Sequence, residues 1–190
     1  MLTNDLKENT YPEHQASEKK MIVALKKIET PAGYVHMLNW MYGFFAPLEA
    51  LIQKQLTPEL LPDIDRRSRA EYLLWDIRDL GLLNLEFRIC RDLPEVDSVE
   101  QAIGALYVLE GSTLGGRIIA DMLQQQLGTA VPTSYFNGYG EENSRMWQTY
   151  KDFLNQPRTP EQQTAILEAA KATFITLKNW IDKHELQPQL

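Results

Sequence analysis

Apolar residues recur at helical spacing along nearly the whole chain, and this pattern limits the fold more than any other feature. Between residues 10 and 29, Met21, Ile22, Leu25 and Ile28 share one helical face with lysines beside it. No segment alternates convincingly between apolar and polar residues as a half-buried strand does. The pattern predicts an all-α bundle of about six to eight helices, in which ligand sites lie between facing helices.

Prolines, glycines and capping residues divide the chain into further helices. Pro47, inside the apolar second helix, predicts a kink rather than an end. Gly81 is placed as a C-terminal cap, and Asp97 or Ser98 as the N-terminal cap of a long helix. The predicted helices cover residues 10–29, 31–56, 68–80, 98–128, 142–155 and 160–185, and residues 129–140 are predicted to form an ordered loop.

Size, charge and cysteine usage narrow the class of protein. The chain has 190 residues with 44% hydrophobic side chains, which predicts one domain spanning residues 1–190. Its net charge of -7 argues against nucleic-acid binding. Cys90 is the only cysteine, the N-terminus lacks the pattern of a secretory signal, and no apolar run approaches the length of a membrane span. We therefore expect a cytoplasmic protein.

Three glycines interrupt the long helix in the segment "ALYVLEGSTLGG". Each costs roughly 1 kcal/mol relative to alanine inside a helix, so the segment needs compensation from outside. Gly111 and Gly115 lie one turn apart on one face, and Gly116 widens the strip that lacks side chains. Either another helix packs closely there or a flat ligand lies against the backbone, and spacing alone does not decide between them.

The three histidines occupy different settings. His36, in an apolar helix, is expected to be a hydrogen-bonded core or boundary residue. His184 lies in the last turn of the final helix, where the helix dipole favours a cation. His14 follows the segment "TYPE", which fits a capping box and places His14 in a first helical turn. As a candidate ligand, His14 needs a second surface facing it.

Several other chemistries lack their motifs. No histidine has a glutamate three residues before it, as a di-iron bundle requires, and no C-x-x-C or H-E-x-x-H suggests zinc. The glycines do not match a phosphate-binding loop, and Ser112 is not in a G-x-S-x-G elbow.

Two separated motifs, "LKENTYPEHQASE" and "ALYVLEGSTLGGR", resemble the heme oxygenase family, most closely its bacterial branch associated with bacteriophytochromes. The segments "MYGFFAPLEALI" and "KATFITLKNWI" extend the likeness over nearly the whole chain. The resemblance implies oxidative cleavage of heme b to biliverdin, carbon monoxide and ferrous iron. It also implies dioxygen as co-substrate, an electron donor such as a ferredoxin or flavodoxin system, and a bacteriophytochrome as possible recipient of biliverdin.

Carried over position by position, the resemblance makes His14 the axial ligand of the heme iron. It places Gly111, Gly115 and Gly116 in the distal helix over the porphyrin. Ser112 stands where many relatives carry an aspartate that holds a water, which leaves the route of proton delivery open. The remaining candidates are Lys7, Tyr107 and Arg117 for propionate or water contacts, and Phe174 as an aromatic bordering the heme.

Blander roles for the same residues stay open at this stage. Lys7 could be simply solvated, Tyr107 and Phe174 could be ordinary core, and Arg117 could pair with Asp121. A noncatalytic heme binder or carrier of the same fold is the alternative function, with Ser112 marking a lost proton relay. A related helical fold acting on another small molecule, as the thiaminase-like enzymes do, is a third option.

Overall fold

The computed structural model describes residues 1–81 and 86–185, and all regular structure within these residues is helical. The predicted all-α class is confirmed. The helices are α1 (Leu2–Asn9), α2 (Tyr11–Lys26), α3 (Pro31–Gln55), α4 (Ala70–Asp79), α5 (Val99–Leu127), α6 (Ser134–Asn137), α7 (Asn143–Leu154) and α8 (Pro160–Glu185), with 3-10 turns at Ile64–Arg67 and Gly140–Glu142. None of the described helices has the length and apolarity needed to cross a membrane.

Local capping signals set several helix ends where the sequence predicts them. The Ser98 hydroxyl accepts a hydrogen bond from the Gln101 amide at 3.2 Å and begins α5. Gly128 ends α5 with a φ of 101°, and Gly81 follows α4 with a φ of 82°. α3 continues through Pro47 without ending.

The N-terminal helix differs from its prediction, because it divides at Thr10 into α1 and α2. The predicted capping box does not form: the Thr10 hydroxyl donates back to the Leu6 carbonyl at 2.7 Å instead of accepting from the next turn. Thr10 has a φ of -103° and a ψ of 2°, close to helical, rather than the extended backbone usual for an N-cap. The short helix α6 was also missed, since its segment was predicted as loop.

The packing of α5 on α8 fixes how these two long helices align. Gln162 on α8 donates to the Glu100 carboxylate on α5 at 2.8 Å. One turn further along both helices, a Cβ on Gly104 would overlap the carbonyl oxygen of Ile166, so only glycine permits this approach. Residue numbers rise together along the contact, and the helices therefore run parallel.

α2 packs along α8 in the same direction. The His14 ring meets the Phe174 ring, and further along both helices Lys20 pairs with Asp182 at 2.7 Å. α2 and α5 therefore run parallel to each other, and each packs mainly on α8 rather than on the other. This arrangement leaves a cleft between α2 and α5 with α8 as its floor.

His184 does not have the charged role predicted from its position. Only 5% of its surface is exposed, and it lies between Trp40 and Trp180, with ring centroids 6.2 and 4.3 Å away. Its pKa is lowered to about 4, mainly by burial, with smaller contributions from the neighbouring His36, Arg88 and Lys183. Desolvation outweighs the helix dipole, and His184 is neutral near pH 7.

His36 is half-buried at the boundary of the core, as predicted, but its hydrogen bonding differs from the prediction. Its buried Nε2 has no hydrogen-bond partner among the described residues. Burial is the main cause that lowers the pKa of His36, with the charge of Arg88 adding to it. Both histidines therefore favour the neutral imidazole.

Acid should weaken this protein through His184. The unfolded state binds a proton near pH 6.5 and the folded state only near pH 4, so stability present above pH 6.5 is lost as the pH falls towards 4. The loss attributable to this residue is at most about 3 kcal/mol. Urea unfolding measured between pH 4 and 7 should show a flatter pH dependence for His184→Gln than for the wild type. An unchanged slope in that variant would contradict the assignment.

Candidate functional site

The cleft between α2 and α5 brings His14 level with Gly111. The Tyr107 phenol on α5 meets the Thr10 side chain at the start of α2. Because the two helices run parallel, one further turn along each leads from this contact to Gly111 and to His14. The spatial pairing of the histidine segment with the glycine segment is therefore a property of the fold.

His14 presents an accessible imidazole on α2. The residue is exposed, and its ring centroid lies 5.1 Å from that of Phe174 on α8. Its backbone is held by bonds to neighbouring turns, since the His14 amide donates to Thr10 and the Ser17 hydroxyl donates to the His14 carbonyl, both at 2.9 Å. An imidazole on a fixed helix, open on one side, is of the kind that can ligate an iron whose other ligands come from a porphyrin.

The three glycines of α5 divide into two kinds. A Cβ added to Gly111 or Gly115 would meet nothing within 4 Å. A Cβ on Gly116 would overlap the backbone carbonyl of Phe136 in α6. The close-packing interpretation therefore holds for Gly116, and the inclusion of Gly116 in the bare strip was wrong. Gly111 and Gly115 face open space.

Two exposed apolar side chains flank the open glycines. Leu114 and Ile118 are 52% and 73% exposed, and with Gly111 and Gly115 they follow the i, i+3, i+4, i+7 spacing of one helical face. An apolar stripe beside backbone without side chains is typical of a surface that a flat apolar group covers. The face of a porphyrin is one flat apolar group of this kind.

Ser112 lies beside the open glycines, and its hydroxyl hydrogen already takes part in a hydrogen bond. Its hydroxyl donates to the Leu109 carbonyl at 2.6 Å, and the residue is exposed. The Ser112 oxygen can therefore act as a hydrogen-bond acceptor towards the cleft, but in this geometry it does not act as a donor.

A buried ionic cluster underlies α5 at the same level. The Glu110 carboxylate accepts from the Tyr139 hydroxyl at 2.6 Å and from the Arg67 guanidinium, which also binds Asp63 through two bonds of 2.8 and 2.7 Å. Burial raises the pKa of Glu110, while Arg67 and Arg69 oppose the rise. Sequence reasoning missed this cluster, and its one signal was a glutamate within the apolar run "ALYVLE".

The other candidate residues differ in their burial and in their contacts. Tyr107 is half-buried with its ring 5.8 Å from that of Trp147 on α7, and burial raises its pKa. Lys7 and Arg117 are exposed, and no contact in the described structure ties either side chain to the cleft. The possible pair between Arg117 and Asp121 does not form. The structure thus brings His14 against Phe174 and Tyr107 against Thr10, and the open Gly111 and Gly115 follow Tyr107 at the next two turns of α5.

Alanine substitutions should separate the two kinds of glycine in the heme-free protein. Gly116→Ala should lower the free energy of unfolding by about 1–3 kcal/mol, because the new methyl group displaces α6. Gly111→Ala and Gly115→Ala should be neutral or stabilising by up to about 1 kcal/mol, since alanine favours the helix and meets no neighbour. Urea unfolding measures all three, and equal losses would contradict the distinction.

Comparisons with known proteins agree with this geometry. A family model described as heme oxygenase matches residues 1–183. A heme oxygenase from Xanthomonas campestris pv. campestris (strain 8004) is 41% identical over 125 residues, which cover 65% of this chain and 72% of the relative.

Solved structures share the fold at low sequence identity. The NO- and CO-bound heme oxygenase of Neisseria meningitidis has a TM-score of 0.77 and 18% identity, covering 97% of this chain and 92% of that one. The heme oxygenase of Leptospira interrogans gives 0.77 and 18% over 96% and 98% of the two chains. Heme oxygenase-1 of the cyanobacterium Synechocystis sp. PCC6803, in complex with heme, gives 0.74 and 16% over 96% and 91%.

The family model spans nearly the whole chain, and the Xanthomonas relative is more than 30% identical over most of its own length. This chain belongs to the heme oxygenase family.

Proposed function

We propose that this protein cleaves heme b oxidatively to biliverdin, carbon monoxide and ferrous iron, with His14 as the axial ligand of the iron. Heme oxygenase activity follows from the family, and the roles of individual residues are our proposal. The observation that carries it is the alignment of α2 with α5, which sets His14, whose ring lies against Phe174, level with the open Gly111. This arrangement offers a flat group one nitrogen ligand, from His14, and a stretch of α5 backbone without side chains, at Gly111 and Gly115.

Each residue of the cleft has its own proposed role in holding heme. His14 supplies the nitrogen ligand, and Phe174 limits where the imidazole and the ring edge can lie. Gly111 and Gly115 allow close approach of the α5 backbone, and Leu114 and Ile118 supply apolar contact. When bound, heme has two roles: it is the cofactor that activates dioxygen, and it is the substrate whose ring is opened. Dioxygen is the co-substrate.

Exposed cations on the helices that carry or adjoin the cleft residues are our proposed anchors for the two heme carboxylates. Lys7 and Arg117 are exposed, and neither makes an ion pair in the described structure, so both are available to a carboxylate. Tyr107 adds a hydroxyl at the same end as Lys7, through its contact with Thr10. Lys151 on α7 joins this set, since it shares a helical face with Trp147, the ring beside Tyr107.

Ser112 is proposed to hold a water at the strip. Because the serine hydrogen is bound to the Leu109 carbonyl, such a water would donate one hydrogen to the Ser112 oxygen and keep the other for an acceptor in the cleft. Water is a weak acid, and a weak proton donor suits a reaction in which the O–O bond of dioxygen must not break too early.

The noncatalytic heme carrier proposed from the sequence gains no support, because the relatives compared are named heme oxygenases. The thiaminase-like option gains none from the family match. We further propose that residues 1–190 form one cytoplasmic domain, that electrons come from a ferredoxin or flavodoxin system, and that biliverdin passes to a bacteriophytochrome. These proposals rest on the sequence resemblance.

Hemin titration tests the ligand assignment. The wild type should give the Soret band of histidine-ligated heme, and His14→Ala should lose that band and bind hemin at least about tenfold more weakly, a change of about 1.4 kcal/mol. Added imidazole should restore the band by occupying the vacated position. Gln15→Ala, the exposed neighbour on α2, is the matched control. If His14→Ala keeps the wild-type spectrum, the assignment is wrong.

Turnover under air tests the reaction. With ascorbate or a ferredoxin system, the wild-type hemin complex should lose its Soret band and gain biliverdin absorbance. Chromatography of the product identifies biliverdin directly. A complex that binds hemin through histidine but never degrades it would favour the carrier alternative.

A further inference from the structure

Arg69 is a buried cation that makes no ion pair. Only 2% of its surface is exposed, and in the described part of the chain no carboxylate pairs with its guanidinium. The neighbouring Glu49 carboxylate binds the backbone amides of Arg69 and Ala70 instead. Burying a guanidinium without a paired carboxylate is costly, so the contacts that Arg69 does make call for an explanation.

Those contacts lead to the glycine segment of α5. The Arg69 Nη2 donates to the Leu109 carbonyl at 3.0 Å, the same oxygen that receives the Ser112 hydroxyl at 2.6 Å. The guanidinium lies over the rings of Tyr135 and Tyr139, with its Cζ 5.4 and 5.3 Å from their centroids. Because both rings are held by the fold, the direction of the Arg69 donor is fixed.

The carbonyls involved are those whose helical bonds span Gly111 and Ser112. In an α-helix the Leu109 carbonyl accepts from the amide of residue 113, and that of Glu110 from residue 114. Here both carbonyls also accept side-chain donors, since the Thr113 hydroxyl binds the Glu110 carbonyl at 2.8 Å. Side-chain donors compete with the helical bonds and alter the local path of a helix. Buried side-chain donors therefore help to set the position of the α5 backbone that borders the cleft.

We propose that Arg69 is a positioning residue for ring opening, which acts through the Leu109 carbonyl to set the placement of Gly111 and the direction of the Ser112 hydroxyl. This inference rests on the proposed placement of heme against the open glycines. Arg69 lies beneath α5 and does not border the cleft, so its loss should affect the reaction far more than the binding of hemin. Small misplacements at a reacting centre reduce rates strongly, which gives the effect a measurable size.

Arg69→Met tests the proposal, because methionine fills a similar volume without the charge or the donor. Hemin affinity should stay within about twofold of wild type, while ring opening should slow roughly tenfold to a hundredfold and the mixture of biliverdin isomers should change. Arg66→Met is the matched control: Arg66 is exposed and pairs with Glu142, so its loss should leave all three measurements unchanged. Wild-type rate and isomer composition in Arg69→Met would overturn the proposal.

Two further variants test the route of the effect. If Arg69 acts through Ser112, the double variant Arg69→Met with Ser112→Ala should be about as slow as the slower single variant, whereas independent effects would multiply. Multiplying effects would overturn the route through Ser112. Arg69→Lys, which keeps a cation without the planar fork, should recover part of the lost rate.

Spectroscopy of the heme-free protein gives a readout independent of turnover. The carbonyl carbon of Leu109 should move upfield in the Arg69→Met protein as it loses a hydrogen-bond donor, and the amides of residues 111–113 should shift while those of residues 102–106 should not. If Arg69→Met does not fold, Arg69→Lys decides: a displaced Leu109 resonance with wild-type ring opening overturns the proposal. Wild-type protein that binds no hemin would instead refute the proposed function.

Discussion

The close approach of α5 to α8 at Gly104 determines the geometry of the whole cleft. At this point the backbone of one helix touches the backbone of the other, and any side chain would force them apart. The contact fixes the register of two long parallel helices, so Phe174, eight residues beyond Ile166 on α8, is expected at the level of residue 112 on α5. Since α2 is aligned on α8 as well, one helix sets the positions of both walls.

The two sides of α5 have opposite chemistry at the same level. One side carries open glycines and exposed apolar side chains, and the other carries Glu110, Arg67 and Arg69, all of them buried. Buried charges of this kind rarely increase stability over well-packed apolar residues, but they fix geometry because each donor needs its own acceptor. The cluster is therefore better understood as a device for orientation than as a source of stability.

Local signals predicted much of this fold, and long-range contacts account for what they missed. Ser98, Gly81 and Gly128 mark helix ends because capping depends on neighbours within a turn. The role of Gly116 depends on Phe136, and the neutral state of His184 depends on Trp40, a residue distant in sequence. The open glycines and His14 could be paired only through the family resemblance, because spacing along a chain does not show which helices face each other.

The exposed stripe of Leu114 and Ile118 has a consequence for the heme-free protein between turnovers. Most proteins that cover an apolar surface with a ligand keep that ligand and its stabilising effect, because binding to the folded state favours folding. In the proposed placement the heme that covers the stripe is consumed by the reaction, so each turnover would return the protein to the uncovered state. The bundle must therefore remain folded and dispersed without its ligand, and two glycines in the stripe keep the recurring apolar surface small.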